Sequence, residues 1–202
     1  MLPYNQQGID EPILDAVYAA VPMKTGPHKG KYPAFATPED GGNKYLYMSM
    51  DGGANFKKFA VDEHFDYIVP HPAVPDRFLG FDVEANAQSM TVFVCDNVME
   101  AFTGGASTGT IKDKCVKAHD QVIDADWIMH DSSRWMSKNF GIYFTQFKGK
   151  IEDDQLTLYK WIATIDGEPK KPVKINPSGL VSAKPGHAVR VGVPWCGTKV
   201  WH

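Results

Sequence analysis

The segment Tyr45–Phe56, YLYMSMDGGANF, alternates between two sets of side chains before it reaches two glycines. Tyr45, Tyr47 and Ser49 fall on one face of an extended strand, and the residues between them fall on the other. Asp51 followed by two glycines favours a tight turn, because an Asp side chain accepts hydrogen bonds from nearby backbone N–H groups and glycine tolerates a positive φ. The pattern therefore predicts a β-hairpin with its turn at Asp51.

Two later segments, TVFVCDNVMEAF from Thr91 and SRWMSKNFGIYF from Ser133, carry a degraded form of the same pattern. When their last aromatic residues are aligned, the repeats are 46 and 42 residues apart. The aligned columns are aromatic (Tyr47, Phe93, Trp135), small (Ser49, Cys95, Ser137) and Asp or Asn (Asp51, Asn97, Asn139), with glycine at Gly53 and Gly141 but Met99 in the middle copy. A period near 45 residues is typical of a four-stranded propeller blade.

The residues between the first two copies supply the other strands of such a repeat. Hydrophobic runs bounded by turn residues predict strands at Phe65–Val69, Phe78–Val83 and Met90–Cys95. Divided by about 45 residues per repeat, the chain holds about four blades. Three unrelated hairpins in another all-β protein, such as a β-sandwich or jelly roll, are the alternative.

The motif Ser-x-Asp-x-Gly-x-x-Phe at Ser49, Asp51, Gly53 and Phe56 resembles the Asp-box of β-propellers. Asp-boxes occur in sialidases and in the luminal heads of sortilin-like vacuolar protein-sorting receptors. The continuation FDYIVPHPAVPDRFLGF is similar to the sorting-receptor pattern, and the resemblance covers roughly residues 40–145. It implies an Asp-box propeller with a non-catalytic ligand-binding function, in which the boxes are structural and lie away from the binding tunnel.

The chain is expected to form an N-terminal extension, residues 1–40, and a single β domain, residues 41–202. Within the extension the pattern predicts a short helix at Glu11–Ala20 and a solvated Pro/Gly/Lys loop at Lys24–Lys31. A hairpin is predicted from Leu156, with its turn at Asp166 and Gly167, and a short strand after Gly186.

Composition is that of a globular protein, with 43% hydrophobic and 22% charged residues. The net charge of -3 argues against nucleic acid as a partner. No apolar run approaches the roughly 18 residues that span a bilayer, and the N-terminus lacks the basic start of a signal peptide. The expected compartment is luminal or extracellular for a receptor fragment, and intracellular or virion otherwise. Three cysteines allow at most one disulfide.

Motifs for enzyme chemistry, cofactors or metals are weak. Cys115 and His119 lack the second pair of ligands that a zinc site needs, so a structural thiol and a surface histidine are favoured. The acidic segment Asp62–Asp66, which includes His64, is interpreted as a solvated loop in preference to a cation site. His130 beside Asp131 has the residue types of an oriented general base, but a tight turn is favoured. No cofactor, metal site or catalytic residue is predicted.

The candidate binding residues are the aromatic and charged side chains Trp127, His130, Arg134 and Trp135. Exposed Trp residues beside polar groups are typical of surfaces that recognise peptides, proteins or glycans. The predicted function is therefore non-catalytic ligand binding. A coat or structural protein of a virus or phage is the first alternative. An Asp-box glycosidase is the second, although it would need Arg77, Arg134 and Arg190 to converge, and its Arg-Ile-Pro signature is missing.

Overall fold

The computed structural model describes residues 8–85, 89–102, 108–127, 139–147, 156–164 and 173–175. These residues form an all-β structure, as predicted, and their strands lie in two sheets. The strands are β1 (Ile13–Tyr18), β2 (Ala34–Pro38), β3 (Tyr45–Ser49), β4 (Lys57–Ala60), β5 (Tyr67–Pro70), β6 (Phe78–Val83), β7 (Met90–Cys95), β8 (Thr108–Thr110), β9 (Cys115–Trp127), β10 (Asn139–Phe147), β11 (Leu156–Thr164) and β12 (Val173–Ile175). Two short 3-10 helices, Val98–Phe102 and Lys112–Lys114, complete the described elements, and neither is long and apolar enough to cross a membrane.

The chain divides into two compact units, residues 1–85 with 91–117 and residues 86–90 with 118–202. In the first unit, five strands form a sheet in the order β1-β2-β3-β4-β8. Its pairs are antiparallel except for β4 and β8, which run parallel. Strands β7, β6 and β5 are neighbours, in that order, in the other sheet.

Large apolar side chains from both sheets of the first unit pack in one core. Phe35 of β2 lies 4.9 Å from Phe78 of β6, measured between ring centroids, and Phe65 lies 5.5 Å from Phe93 of β7. Phe35 and Phe78 are fully buried. Because each sheet is apolar on the face that meets the other, burial of these rings holds the two layers together.

The hairpin predicted from Tyr45 is confirmed. Strands β3 and β4 pair antiparallel with Tyr45 opposite Ala60, and the turn between them uses positive φ angles at Gly52 (84°) and Gly53 (83°). The strands predicted at Phe78–Val83 and Met90–Cys95 are also confirmed, with those bounds. Strand β5 begins two residues later than the predicted Phe65–Val69.

The helix predicted at Glu11–Ala20 is wrong, because this segment forms β1. Strand β1 pairs antiparallel with β2, with Val17 opposite Phe35, and Val17 packs against the core. Local helix propensity is a weak preference that such pairing and burial override. Strands β1 and β2 belong to the same sheet as β3.

The three aligned turn positions have dissimilar surroundings. Asn97 does have a positive φ of 53°, but a 3-10 helix follows it where a strand follows the first turn. Asn139 is not in a turn: it is the first residue of β10 and lies opposite Thr164. Ser137 and Trp135 lie outside the described residues. The residue columns therefore do not correspond to a structural repeat at these positions.

In the second unit, four strands lie in the order β12-β11-β10-β9, and each strand runs antiparallel to its neighbour. Trp127 of β9 and Phe144 of β10 are buried, and the His119 ring lies 4.7 Å from that of Phe144. The hairpin predicted from Leu156 is confirmed as β11 and β12, whereas its turn and the strand predicted after Gly186 lie outside the described residues.

Candidate functional site

The Asp51 turn is closed by side-chain hydrogen bonds. The Ser49 hydroxyl donates to Asp51 Oδ1 at 2.7 Å and accepts from the backbone N–H of Gly53 at 3.0 Å. Asp51 Oδ1 also accepts from the backbone N–H groups of Ala54 (3.1 Å) and Asn55 (3.0 Å). Asp51 Oδ2 accepts from Asn55 Nδ2 at 2.6 Å. Both carboxylate oxygens therefore serve the turn itself.

These bonds change the acidity of the carboxyl group. Burial on its own would raise the pKa of Asp51, but the hydrogen bonds from Asn55, Ser49 and the backbone outweigh it and lower the pKa to about 2. The carboxylate is therefore ionised, and its charge is satisfied within the turn.

We expect this turn to lose its stabilising effect in acid. The pKa of Asp51 is lower in the folded protein than the ordinary 3.8, so its contribution is complete above about pH 4 and is lost as the pH falls towards 2. Replacing Asp51 with alanine should lower the free energy of unfolding at neutral pH by about 1–2 kcal/mol.

Chemical unfolding at a series of pH values checks this expectation, with the non-titrating Asp51→Asn variant as the comparison. The stability difference between the wild type and this variant should shrink between about pH 4 and pH 2, the range fixed by the lowered pKa of Asp51. A difference that stays constant across this range would contradict the assignment of the charge to the turn.

A cleft of about 390 Å³ lies beside the turn, within the first unit. Its apolar lining comes from four side chains on three different segments: Pro27, Met50, Met99 and Phe102. Its polar lining consists of His28, Asp51, Asn55 and Lys57. This volume lies in the range of small-molecule and side-chain pockets.

The charged side chain of this cleft that is not neutralised within the turn is the positive Lys57. The carboxylate of Asp51 and the side-chain amide of Asn55 bond to each other and to the turn. Lys57 has no carboxylate within 4.0 Å among the residues that the structure describes, and its amine lies 5.9 Å from the centroid of the Phe102 ring. Such a cleft can take an apolar group and hold an anionic group beside it.

The residue types of the cleft lining determine which groups it can offer to a ligand. Among its described residues there is no Ser, Thr, Cys or Tyr, so the lining offers neither a hydroxyl nor a thiol nucleophile. Two of its apolar side chains are methionines, whose unbranched thioethers adapt to ligands of different shape.

The binding residues predicted from the sequence are not brought together in the described part of the chain. Trp127 is 1% exposed and belongs to the core of the second unit, so its prediction as an exposed recognition residue is wrong. His130, Arg134 and Trp135 lie outside the described residues. A tryptophan at the end of a strand gives no local sign of which face will be covered, which is why the sequence did not separate the two cases.

The acidic segment Asp62–Asp66 is only partly the solvated loop that was predicted. Asp62 and Glu63 pair with lysines at the surface. His64, by contrast, is 6% exposed, and its Nδ1 lies 3.1 Å from the carbonyl oxygen of Asn43, which accepts its hydrogen bond. No group of three metal-ligating side chains with metal-binding geometry occurs within the described ranges.

A buried polar cluster, His71, Arg77 and Asp96, was not predicted as a unit. Arg77 Nε donates to Asp96 Oδ1 at 2.7 Å and Nη2 donates to Oδ2 at 3.2 Å. Arg77 is 4% exposed and Asp96 is 6% exposed. Since Arg77 is committed to this pair, it is not available for the three-arginine carboxylate clamp of a sialidase.

Cys95, which precedes Asp96 in the chain, belongs to a disulfide that was not predicted from the sequence. Cys95 and Cys115 form a disulfide, so Cys115 is not the free structural thiol that was predicted. The single bridge agrees with the limit of at most one set by three cysteines. Cys196 lies outside the described residues.

Comparison with known proteins gives no relative from which a function could be transferred. No family model matches the chain, and no curated protein is significantly similar to it. The function of this chain must therefore be inferred from the geometry of the cleft and from the residues that line it.

Proposed function

We propose that this protein is a non-catalytic binding domain that takes an apolar side chain of a protein or peptide ligand into the cleft beside the Asp51 turn. The observation that carries the proposal is the lining: Met50, Met99 and Phe102 surround a space of about 390 Å³ whose uncommitted charge is a single lysine. Apolar pockets with few polar groups of this kind hold the anchor side chain of a ligand.

A peptide suits this lining better than a glycan does. Sugars are held by several side chains that donate and accept hydrogen bonds, and the side chains of Asp51 and Asn55 are already bonded to each other. The methionines and the phenylalanine supply apolar surface instead, and burying an aliphatic or aromatic side chain against it stabilises a complex by about 1.5–3 kcal/mol.

The resemblance to sortilin-like sorting receptors implies the same class of function, ligand binding, but in that family the ligand lies away from the Asp-box. The position proposed for the ligand therefore depends on the lining of the cleft alone. Ser49 and Asp51, two residues of the motif that carries the resemblance, close the turn with their side-chain hydrogen bonds. The finer architecture, about four propeller blades, remains a prediction from the spacing of three aligned segments, although the surroundings of Asn97 and Asn139 do not repeat those of Asp51.

Binding to an array of dodecapeptides of varied sequence tests the proposal. We expect a subset with apolar side chains to bind, and we expect Met50→Ala to weaken that binding about tenfold because it removes part of the lining. The matched control is Leu14→Ala, which removes an apolar side chain that is 48% exposed and lies outside the cleft. Equal losses in both variants, or an array without any binder, would overturn the proposal.

Methionine methyl signals locate the bound peptide directly. In protein labelled at the methionine methyl carbons, a binding dodecapeptide should shift the signals of Met50 and Met99, which line the cleft. Met48 is fully buried in the core and should not respond. Shifts that spare Met50 and Met99 would place the ligand elsewhere.

A coat or structural role is the second candidate, and the two-layer core of the first unit supports it, since this is the arrangement of a β-sandwich. Size-exclusion chromatography and electron microscopy separate the two functions. A symmetric assembly of defined stoichiometry that binds no dodecapeptide would favour the coat role over ligand binding.

A further inference from the structure

The loop Lys24–Lys31, hereafter the basic loop, concentrates positive charge in an acidic protein. It reads KTGPHKGK and contains three lysines but no acidic residue, whereas the whole chain has a net charge of -3. Lys24, Lys29 and Lys31 are exposed. The local field of this surface is therefore opposite in sign to the average of the chain.

The basic loop has a defined backbone conformation. The N–H of Met23 donates to the carbonyl of Lys31 at 2.9 Å, and the N–H of Gly30 donates back to the carbonyl of Met23 at 2.9 Å. Gly26 and Gly30 have φ angles of 77° and 82°, which L residues rarely adopt. The lysines are thus carried by a closed turn rather than by a segment without hydrogen bonds.

The basic loop borders the cleft, since its residues Pro27 and His28 are part of the lining. The lysines at this site differ from others in the same unit. Lys44, Lys58, Lys112 and Lys114 each lie within 4.0 Å of a carboxylate oxygen. Within the described part of the chain, no such partner lies near Lys57 or the three lysines of the basic loop. One lysine of the cleft lining and three lysines of the loop that borders the cleft therefore have no carboxylate partner among the described residues.

We propose that the ligand of this cleft is an acidic peptide segment in which carboxylate side chains flank an apolar one. The apolar side chain enters between Met50, Met99 and Phe102, and the carboxylates pair with Lys57 and with the lysines of the basic loop. This inference rests on the proposed function, because it names the class of peptide that the cleft recognises. Charge complementarity selects among peptides and speeds their association, while the apolar anchor provides most of the affinity.

Three fluorescent nonapeptides separate the two components of this recognition. One alternates Glu with Leu, one alternates Gln with Leu, and one alternates Glu with Ser. Fluorescence anisotropy should show binding of the Glu-Leu peptide at least about tenfold tighter than either of the others. Raising the ionic strength from about 0.1 M to about 1 M shortens the Debye length from about 10 Å to about 3 Å, and should reduce this preference.

Charge variants then locate the interaction. The triple variant Lys24→Gln, Lys29→Gln and Lys31→Gln should weaken binding of the Glu-Leu peptide about tenfold at low salt and leave the Gln-Leu peptide unaffected. The matched control, Lys44→Gln with Lys112→Gln and Lys117→Gln, changes the net charge of the first unit equally at positions outside the cleft. Lys57→Gln tests the lysine inside the cleft, and circular dichroism verifies that each variant is folded.

Each outcome bears on one proposal. Equal binding of the Glu-Leu and Gln-Leu peptides would overturn the acidic class while leaving binding in the cleft intact. Equal losses in the two triple variants would show that net charge, and not the basic loop, attracts the ligand. Tighter binding of single-stranded DNA or of vesicles containing phosphatidylserine, abolished by the basic-loop variant, would assign these lysines to a different partner and overturn the inference. The dodecapeptide array tests the proposed function separately.

Discussion

Replacing Asp96 with alanine is expected to lower the free energy of unfolding by about 3–5 kcal/mol, because it leaves the guanidinium of Arg77 buried without its carboxylate partner. Both residues are less than a tenth exposed, so water cannot take the place of the lost oxygens without a rearrangement of the chain. The Asp96 backbone N–H also donates to the carbonyl of Lys114, which fixes the position of this segment.

The measurement has to report on the first unit. All five tryptophans of the chain lie in residues 118–202, so tryptophan fluorescence follows the second unit. Urea unfolding of the first unit is better followed by near-ultraviolet circular dichroism of its tyrosines, or by amide hydrogen exchange in β6 and β7.

Two variants control for the loss of a charge in general. Glu63→Ala removes the partner of Lys44 in an ion pair whose side chains are 58% and 44% exposed, and it should change the stability by less than about 1 kcal/mol. The double variant Arg77→Met with Asp96→Leu should recover part of the lost stability, since it removes both buried charges. If Asp96→Ala and Glu63→Ala had similar effects, the buried pair would not be important for the fold.

Local sequence patterns predicted those parts of the fold that local chemistry determines. The Asp51 turn follows from one Asp and two glycines, and the bounds of β6 follow from an apolar run between turn residues. The hydrogen bonds of the turn are made within a few residues, and β6 pairs with β5, the strand that precedes it in the chain, so the local sequence contains most of the information needed.

Elements that depend on distant partners were not predicted. The segment that forms β1 is extended because it pairs with β2, which begins sixteen residues after the end of β1. The sequence predicted Trp127 as an exposed recognition residue, but the fold buries it. Lys57 was not predicted as a binding residue, because the sequence does not show that Met99 and Phe102 line the same cleft. Pairing and burial of this kind are set by tertiary packing, which overrides the local pattern.

His71 of the buried cluster is expected to make the free energy of unfolding depend on pH in the acid range. His71 is 3% exposed, and its Nδ1 accepts hydrogen bonds from the backbone N–H groups of Ala73 and Val74, both at 3.1 Å. Burial, together with the positive charge of Arg77, lowers the pKa of His71 from 6.5 to about 3. The folded protein therefore keeps His71 neutral at pH values where the unfolded chain already binds a proton there.

The sign of the effect follows from this difference. Above about pH 6.5 His71 is neutral in both states, so its contribution to stability is complete. As the pH falls from 6.5 towards 3, only the unfolded chain takes up the proton, and the free energy of unfolding should decrease by up to about 1.4 kcal/mol per pH unit.

Two substitutions distinguish this titration from the packing of the ring. His71→Asn keeps an oxygen able to accept from the N–H groups of Ala73 and Val74, whereas His71→Ala leaves both donors without that acceptor. Both variants should lose the acid dependence between about pH 6.5 and 4, above the range in which Asp51 titrates, because neither replacement side chain titrates there. At neutral pH, however, His71→Ala should be less stable than His71→Asn by about 1–3 kcal/mol, the cost of unsatisfied buried donors. Urea unfolding across this range measures both quantities, and an acid dependence that survives in both variants would show that other groups, and not His71, cause the loss of stability.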